Sequence, residues 1–377
     1  METEQFLFSK LVANIFGYLG CHFHSIKFNS WRSLLNLSLN ILLNCLSVYG
    51  LYSYDPHNWR IESNPFFTRV MLMSYKRIYP ILYAIISIHY YQFGHQMIHL
   101  LDMLLPYTRI NQRQQLLPLI FIFIISHFVY LSLNYTNLED LYQQPTFEKF
   151  CAQLGCYTLS FQITLIYNMV IFYQCLIESF LHSIEMKLLY INQTNSIDDC
   201  PRLIYLKILK KIEHVACLCK KMNHLFSYGL LIQITLIGIS FIIKICALVL
   251  FRQQWRATIN EAPHICLCYL YLSKISIYNL RIAKRLRMIR RLMLKSYWKY
   301  CSENHYNSTI GHRINDKRKS DQIVVEKFDP IRFFELTNIY KNDFIVRIFR
   351  IWNMDFNFIL SITVFIINYI VFIVSTN

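Results

Sequence analysis

In this chain of 377 residues 55% are hydrophobic and 16% charged, mean hydropathy is positive, and the apolar residues lie in long blocks instead of at amphipathic spacing, which excludes an ordinary water-soluble globule. The 27 Tyr and 28 Phe against 8 Gly and 9 Pro suit long helices and exclude a transmembrane barrel of short strands joined by Gly-rich turns. A net charge of +16 would suggest nucleic acid in a soluble protein, but here Lys and Arg lie beside apolar blocks and mark topology, so no nucleic-acid partner is expected.

The opening "METEQFLFSKLVANIFGYLG" lacks a basic start and a small-residue cleavage site, so the pattern predicts an amphipathic lead-in helix within residues 1–33 and no cleaved signal peptide. Seven apolar blocks follow: Leu34 to Leu51, Tyr79 to His99, Leu116 to Leu133, Cys151 to Ile177, Leu225 to Phe251, Pro263 to Tyr278 and Phe356 to Val374. Each approaches the ~20 residues that cross a bilayer, and the sixth, interrupted by Lys274, is the weakest. The expected fold is an all-α membrane protein of seven transmembrane helices. Residues 34–278 form a six-span bundle, 279–355 a cytoplasmic basic loop with anchor helices, and 356–377 the seventh span. Within that loop "NSTIGHRINDKRKSDQ" has the composition of a disordered insert.

Lys and Arg set the orientation. With the N-terminus inside, 29 of the 38 fall on the cytoplasmic side, 7 outside, and Lys244 and Lys274 within spans, so a cytoplasmic N-terminus and an extracellular C-terminus are expected. Of the sequons at Asn36, Asn134, Asn192 and Asn307, only Asn134 is then placed for glycosylation. This orientation is opposite to that of a G-protein-coupled receptor, and no Asp-Arg-Tyr or Asn-Pro-x-x-Tyr triplet stands at the corresponding places.

Twelve cysteines without regular spacing read as small buried hydrophobes, with Cys151 and Cys156 as a pair that an outer boundary would permit to bond. His214, Cys217, Cys219 and His224 spread around one helix and cannot converge on a metal. Without a phosphate loop, a nucleophile elbow or paired catalytic carboxylates, neither an enzyme nor a cofactor is expected.

Two stretches carry a family resemblance. In "FRIWNMDFNFILSITVFIINYIVFIVSTN" Asn368 and Tyr369 are followed by five hydrophobic residues and then Ser375 and Thr376. This resembles the C-terminal signature of insect gustatory receptors, Thr-Tyr, five hydrophobics and Gln-Phe, with Tyr369 kept and Asn368, Ser375 and Thr376 replacing the others. In "EHVACLCKKMNHLFSYGLLIQI" the residues Asn223, Phe226, Ser227, Leu230 and Leu231 are similar to the family's anchor and packing motif at the start of the fifth span.

The resemblance implies a chemosensory receptor in a sensory neuron's plasma membrane, acting in taste perception as a ligand-gated, non-selective cation channel. Its subunits would form a homo- or hetero-tetramer with related receptors, take a small-molecule tastant in the outer half of each bundle, and contribute the seventh span to one pore. The alternatives are a non-conducting auxiliary protein of the same fold and, more remotely, a G-protein-coupled receptor.

By this resemblance Tyr369, Phe372, Ile373, Ser375 and Thr376 line the pore. Spacings of three, four and seven residues put Phe372, Ile373 and Thr376 on the face of Tyr369, although an ordinary packing helix would look the same. Pocket candidates are Tyr79, Tyr83, His127, Tyr130, Tyr157, Phe161, Gln162, Tyr269 and Tyr271, aromatic walls with a few polar groups that also suit a membrane-interface belt. Lys244, about 10 Å below Phe251 at helical rise, either snorkels or joins the pocket. Lys274 is expected to pair with Glu178, and the run "RIAKRLRMIRRLMLK" to meet anionic membrane lipid.

Overall fold

The computed structural model describes residues 31–53, 66–107, 146–193, 201–250, 255–310, 342–348 and 351–376. They are almost entirely helical: α1 Trp31–Ser53, α2 Phe66–Leu104 closed by a 3-10 turn Leu105–Tyr107, α3 Phe147–Gln193, α4 Pro201–Leu250, α5 Trp255–Ile310 and α6 Phe356–Thr376. A two-stranded hairpin, β1 Arg347–Ile348 and β2 Trp352–Asn353, precedes α6. An all-α architecture is thus what the chain forms. The expected lead-in helix and third span, with His127, Tyr130 and Asn134, lie outside the described residues.

Cross-helix contacts fix the helix directions. Asn168 bonds Tyr271, Gln174 bonds Asn279, Glu178 meets Arg285 and Asn192 bonds Leu292, so α3 and α5 run parallel. Tyr173 packs on Phe226 while Tyr107 packs on both Phe180 and His214, which sets α4 antiparallel to α3. Since His89 meets Leu225 and Tyr107 meets His214, α2 is antiparallel to α4 as well and therefore runs with α3. The ordered pairs Ser47 with Thr158 and Tyr49 with Phe147 make α1 antiparallel to α3. Ser227 with Arg347 and Ile242 packed with Ile366 give α4 and α6 one direction. Consequently α2, α3 and α5 point one way and α1, α4 and α6 the other, and the chain leaves α2 at one end of the bundle and enters α3 at the other.

The core runs along the α3–α5 and α2–α4 seams, with Tyr83, Ile86, Tyr167, Tyr173, Phe226, Ile275 and Ile289 fully enclosed. Where α1 crosses α3, Gly50 permits an approach that no other residue would, because a Cβ there would collide with the backbone of Cys151 and Ala152. Among the described residues no helix is long and apolar enough to cross a membrane.

Candidate functional site

The terminal helix is tied to the bundle through its approach segment. A short hairpin leaves edge groups unpaired, and side chains of α4 and α5 occupy them. Asn279 accepts the Val346 N–H on Oδ1 at 3.0 Å and donates through Nδ2 to the carbonyls of Val346 and Met354 at 3.1 and 2.9 Å. Gln174 of α3 donates to the same Asn279 oxygen at 2.8 Å, which fixes the amide's orientation. On α4, Asn223 donates to the carbonyls of Asp343 and Ile345 at 2.6 and 3.0 Å, and Ser227 to that of Arg347 at 3.2 Å. Beneath this clasp Phe344, Val346, Ile348 and Met354 are buried.

The anchor motif read from sequence therefore has a physical content. Asn223 and Ser227 hold backbone, Phe226 and Leu230 are enclosed in the core, and Leu231 is half-buried against it. Sequence reasoning missed Gln174 and Asn279. Their signal was amides spaced along otherwise apolar helices, which hydropathy averages away. A third such residue, Gln233, is fully buried, and its amide finds no hydrogen-bond partner among the described residues.

Asp355 starts α6, accepting the Phe358 N–H at 2.9 Å as an N-terminal cap. From there α6 has two unlike faces. Ile366 is 2% exposed and packs with Ile242, flanked by Ile362, Tyr369 and Ile370. The opposite side, with Leu360, Ser361, Val364, Asn368, Val371 and Ser375, lies open. Of the pore candidates, Ser375 and Phe372 are exposed, whereas Tyr369 is half-buried on the packed flank between the rings of Phe365 and Phe372 at 6.1 and 6.4 Å. The side chains of Ile373 and Thr376 are outside the described set. The polar residues of the free face, Ser361, Asn368 and Ser375, are seven apart and so share one stripe. At the base of this face an open groove of about 450 Å³ is lined by Trp352, Asp355, Asn357, Ser361 and Phe365.

The structure does not gather the expected pocket residues around one space. Tyr83 is committed elsewhere, its hydroxyl meeting Thr158 at 2.9 Å and Asn44 at 3.2 Å where α1, α2 and α3 join. Tyr271 stacks on Tyr167 with ring centres 5.4 Å apart, and its hydroxyl accepts from Asn168 at 3.1 Å. Tyr269 reaches α6 instead, 3.4 Å from the Thr363 hydroxyl. Tyr157 lies at the surface, and the side chains of Tyr79, Phe161, Gln162 and Lys244 are not among those described.

The expected Glu178–Lys274 pair is corrected. Because α3 and α5 run parallel with Gln174 at the level of Ile275 and Asn279, Glu178 falls beside Arg285, whose Nε lies 3.4 Å away. Arg285 also reaches Glu185 at 2.7 Å and His182 at 3.0 Å, while half-buried Lys274 forms no ion pair among the described residues. Cys151 carries a free, buried thiol. No metal-binding cluster occurs among the described residues; His214 packs on Tyr107, and burial pushes the Cys219 thiol up to about 12.

Comparison with protein-family models finds no match, and comparison with characterised proteins finds none either.

Proposed function

We propose that the chain is a seven-span membrane protein with a cytoplasmic N-terminus, and a subunit of a gustatory-receptor-type cation channel opened by a small-molecule tastant. The single observation that carries the reading is α6. It is 21 residues long without an Asp, Glu, Lys or Arg, packs on one face only, and presents Ser361, Asn368 and Ser375 along the other. A helix lining an aqueous axis needs that division, because wetted residues must recur on one face while the rest packs against the subunit. The helix directions support the topology: apolar blocks one, five and seven point one way, and two, four and six the other. Residues 108–145 must join opposite ends of the bundle, and they contain the apolar block Leu116 to Leu133.

In this reading four copies, alike or from related subunits, place α6 around a common pore in a sensory neuron's plasma membrane. The clasp of Asn223, Ser227 and Asn279 sets the height and rotation of each helix. A non-conducting protein of the same fold is the second reading, favoured by Ser375 and Thr376 where the family signature has Gln and Phe. Current with and without tastants at matched surface expression tests both. The double change Ser375→Gln with Thr376→Phe should reduce basal leak or alter ion selectivity. Absence of current with every partner subunit would favour the non-conducting form.

A further inference from the structure

The basic run that follows the sixth apolar block is not a loop. It continues α5 as one helix from within the block to Ile310. Of its seven cations between Arg281 and Lys295, Arg285 is held by Glu178 and Glu185, and Arg290 is half-buried. The other five, Arg281, Lys284, Arg287, Arg291 and Lys295, are exposed, and none forms an ion pair among the described residues. Steps of three and four residues keep them within one helix face. Like charges at that spacing repel one another and destabilise a bare helix, so the ladder is better matched with an anion lying on it.

The same face changes character at its upper end. Ile277 and Leu280, 39% and 58% exposed, stand one turn above Arg281 and Lys284 respectively, at the point where the apolar block ends with Tyr278. The guanidinium of Arg281 is turned back over the Tyr278 ring at 5.6 Å, in the way basic residues settle at a membrane interface. Two apolar side chains for acyl chains sit over three cations of the exposed face, Arg281, Lys284 and Arg287, which span about 9 Å of helix at ordinary rise. A headgroup with one net charge leaves most of this ladder uncovered; one with several phosphates covers it.

We propose that this face of α5 binds a polyphosphorylated phospholipid of the inner leaflet, with its acyl chains against Ile277 and Leu280 and its headgroup phosphates against Arg281, Lys284 and Arg287. Arg291 and Lys295 extend the attracting field below it. The site rests on the reading that α5 leaves the membrane near Tyr278 on the cytoplasmic side.

Native mass spectrometry of the full chain, extracted in detergent, tests the site with phosphatidylinositol 4,5-bisphosphate, phosphatidylserine and phosphatidylcholine of matched acyl chains. The bisphosphate should be retained over the other two. K284Q with R287Q should lower its retention about twenty-fivefold, about fivefold for each cation lost. K284R with R287K, and K220Q with K221Q on the exposed surface of α4, should leave it unchanged. L280S should weaken lipid retention without changing the binding of soluble inositol hexakisphosphate. Equal retention of the three lipids, or no effect of K284Q with R287Q, overturns the proposal. Inositol hexakisphosphate bound as tightly as the lipid, with L280S silent toward both, makes it a soluble-polyanion site and overturns the lipid assignment. A chain recovered in the aqueous fraction without detergent overturns the membrane reading, and this site with it, before any lipid is added.

Discussion

Asn279 pairs with Val346 as one β-strand residue pairs with another, accepting its N–H at 3.0 Å and donating to its carbonyl at 3.1 Å. A side-chain amide on α5 thereby substitutes for a third strand beside the hairpin, and its second donor contact, to Met354, reaches the return strand's end just before α6. Removing it takes the side-chain partner from the Val346 N–H and the Met354 carbonyl, while the Val346 carbonyl still accepts the Met354 N–H at 3.2 Å. Asn279→Ala should cost about 3 kcal/mol or more, measured as loss of thermal stability in detergent. Asn279→Asp sets a carboxylate oxygen against the carbonyls of Val346 and Met354 in a buried site, so it should destabilise at least as much as Asn279→Ala. An unshifted melting curve for Asn279→Ala would show that the clasp contributes nothing to holding the hairpin.

Gly50 is the contact through which α1 meets α3. Gly50→Val should force the helices apart, disrupting the Ser47–Thr158 and Tyr83–Thr158 bonds nearby, and should abolish surface delivery of the protein. The same substitution at Gly238, whose nearest foreign atom to a Cβ is the Ile366 side chain at 3.9 Å, should be tolerated. Equal surface levels for the two variants would contradict the close approach.

How much of this was readable in advance depended on what hydropathy records. The apolar blocks located the cores of α3 to α6, and the block Phe356 to Val374 nearly coincides with α6, Phe356–Thr376. The blocks did not locate the ends. Helix α4 starts at Pro201, 24 residues before its block, because "LKILKKIEHVACLCKKM" alternates buried Ile208, Ile212 and Val215 with exposed Lys210, Lys211 and Lys220; the helix persists while its average hydropathy falls. Partner choice was equally hidden. Which cation meets Glu178 depends on the α3–α5 register, and that register is set by Gln174 and Asn279, amides unmarked in the sequence. The motif residues Asn223 and Ser227 were found by resemblance, but that they bind backbone follows only from where residues 343–347 lie.

Cys217 and Cys219 differ by two residues and by environment: Cys217 is exposed, and Cys219 is buried with its thiol pushed up to about 12 from 9.0. An acid whose folded pKa is raised keeps its proton in the fold while the unfolded chain loses it, so Cys219 makes stability fall as pH rises from about 9 toward 12. Replacing Cys219 by Ala should flatten that part of the stability–pH profile relative to wild type, and iodoacetamide at neutral pH should label Cys217 in preference to Cys219. Equal labelling of the two thiols would contradict the buried placement.

Asp355 should be separable into cap and charge. Asp355→Ala is expected to cost about 1 kcal/mol by removing the acceptor for the Phe358 N–H, while Asp355→Asn, an equally good cap, should melt within a few tenths of that value from wild type. Indistinguishable stabilities for Ala and Asn would remove the capping role.

In the proposed channel the free face of α6 meets water in an ion pathway while the opposite face is packed in the subunit. This arrangement is tested most directly by cysteine substitution under voltage clamp, with a cationic methanethiosulfonate reagent applied during tastant-evoked current and the wild type as reference for the native thiols. Ser361→Cys, Asn368→Cys and Ser375→Cys currents should change within seconds of exposure, while Ile366→Cys current should not. Modification of Ile366→Cys with the other three silent, or four variants that conduct and all ignore the reagent, would contradict that arrangement.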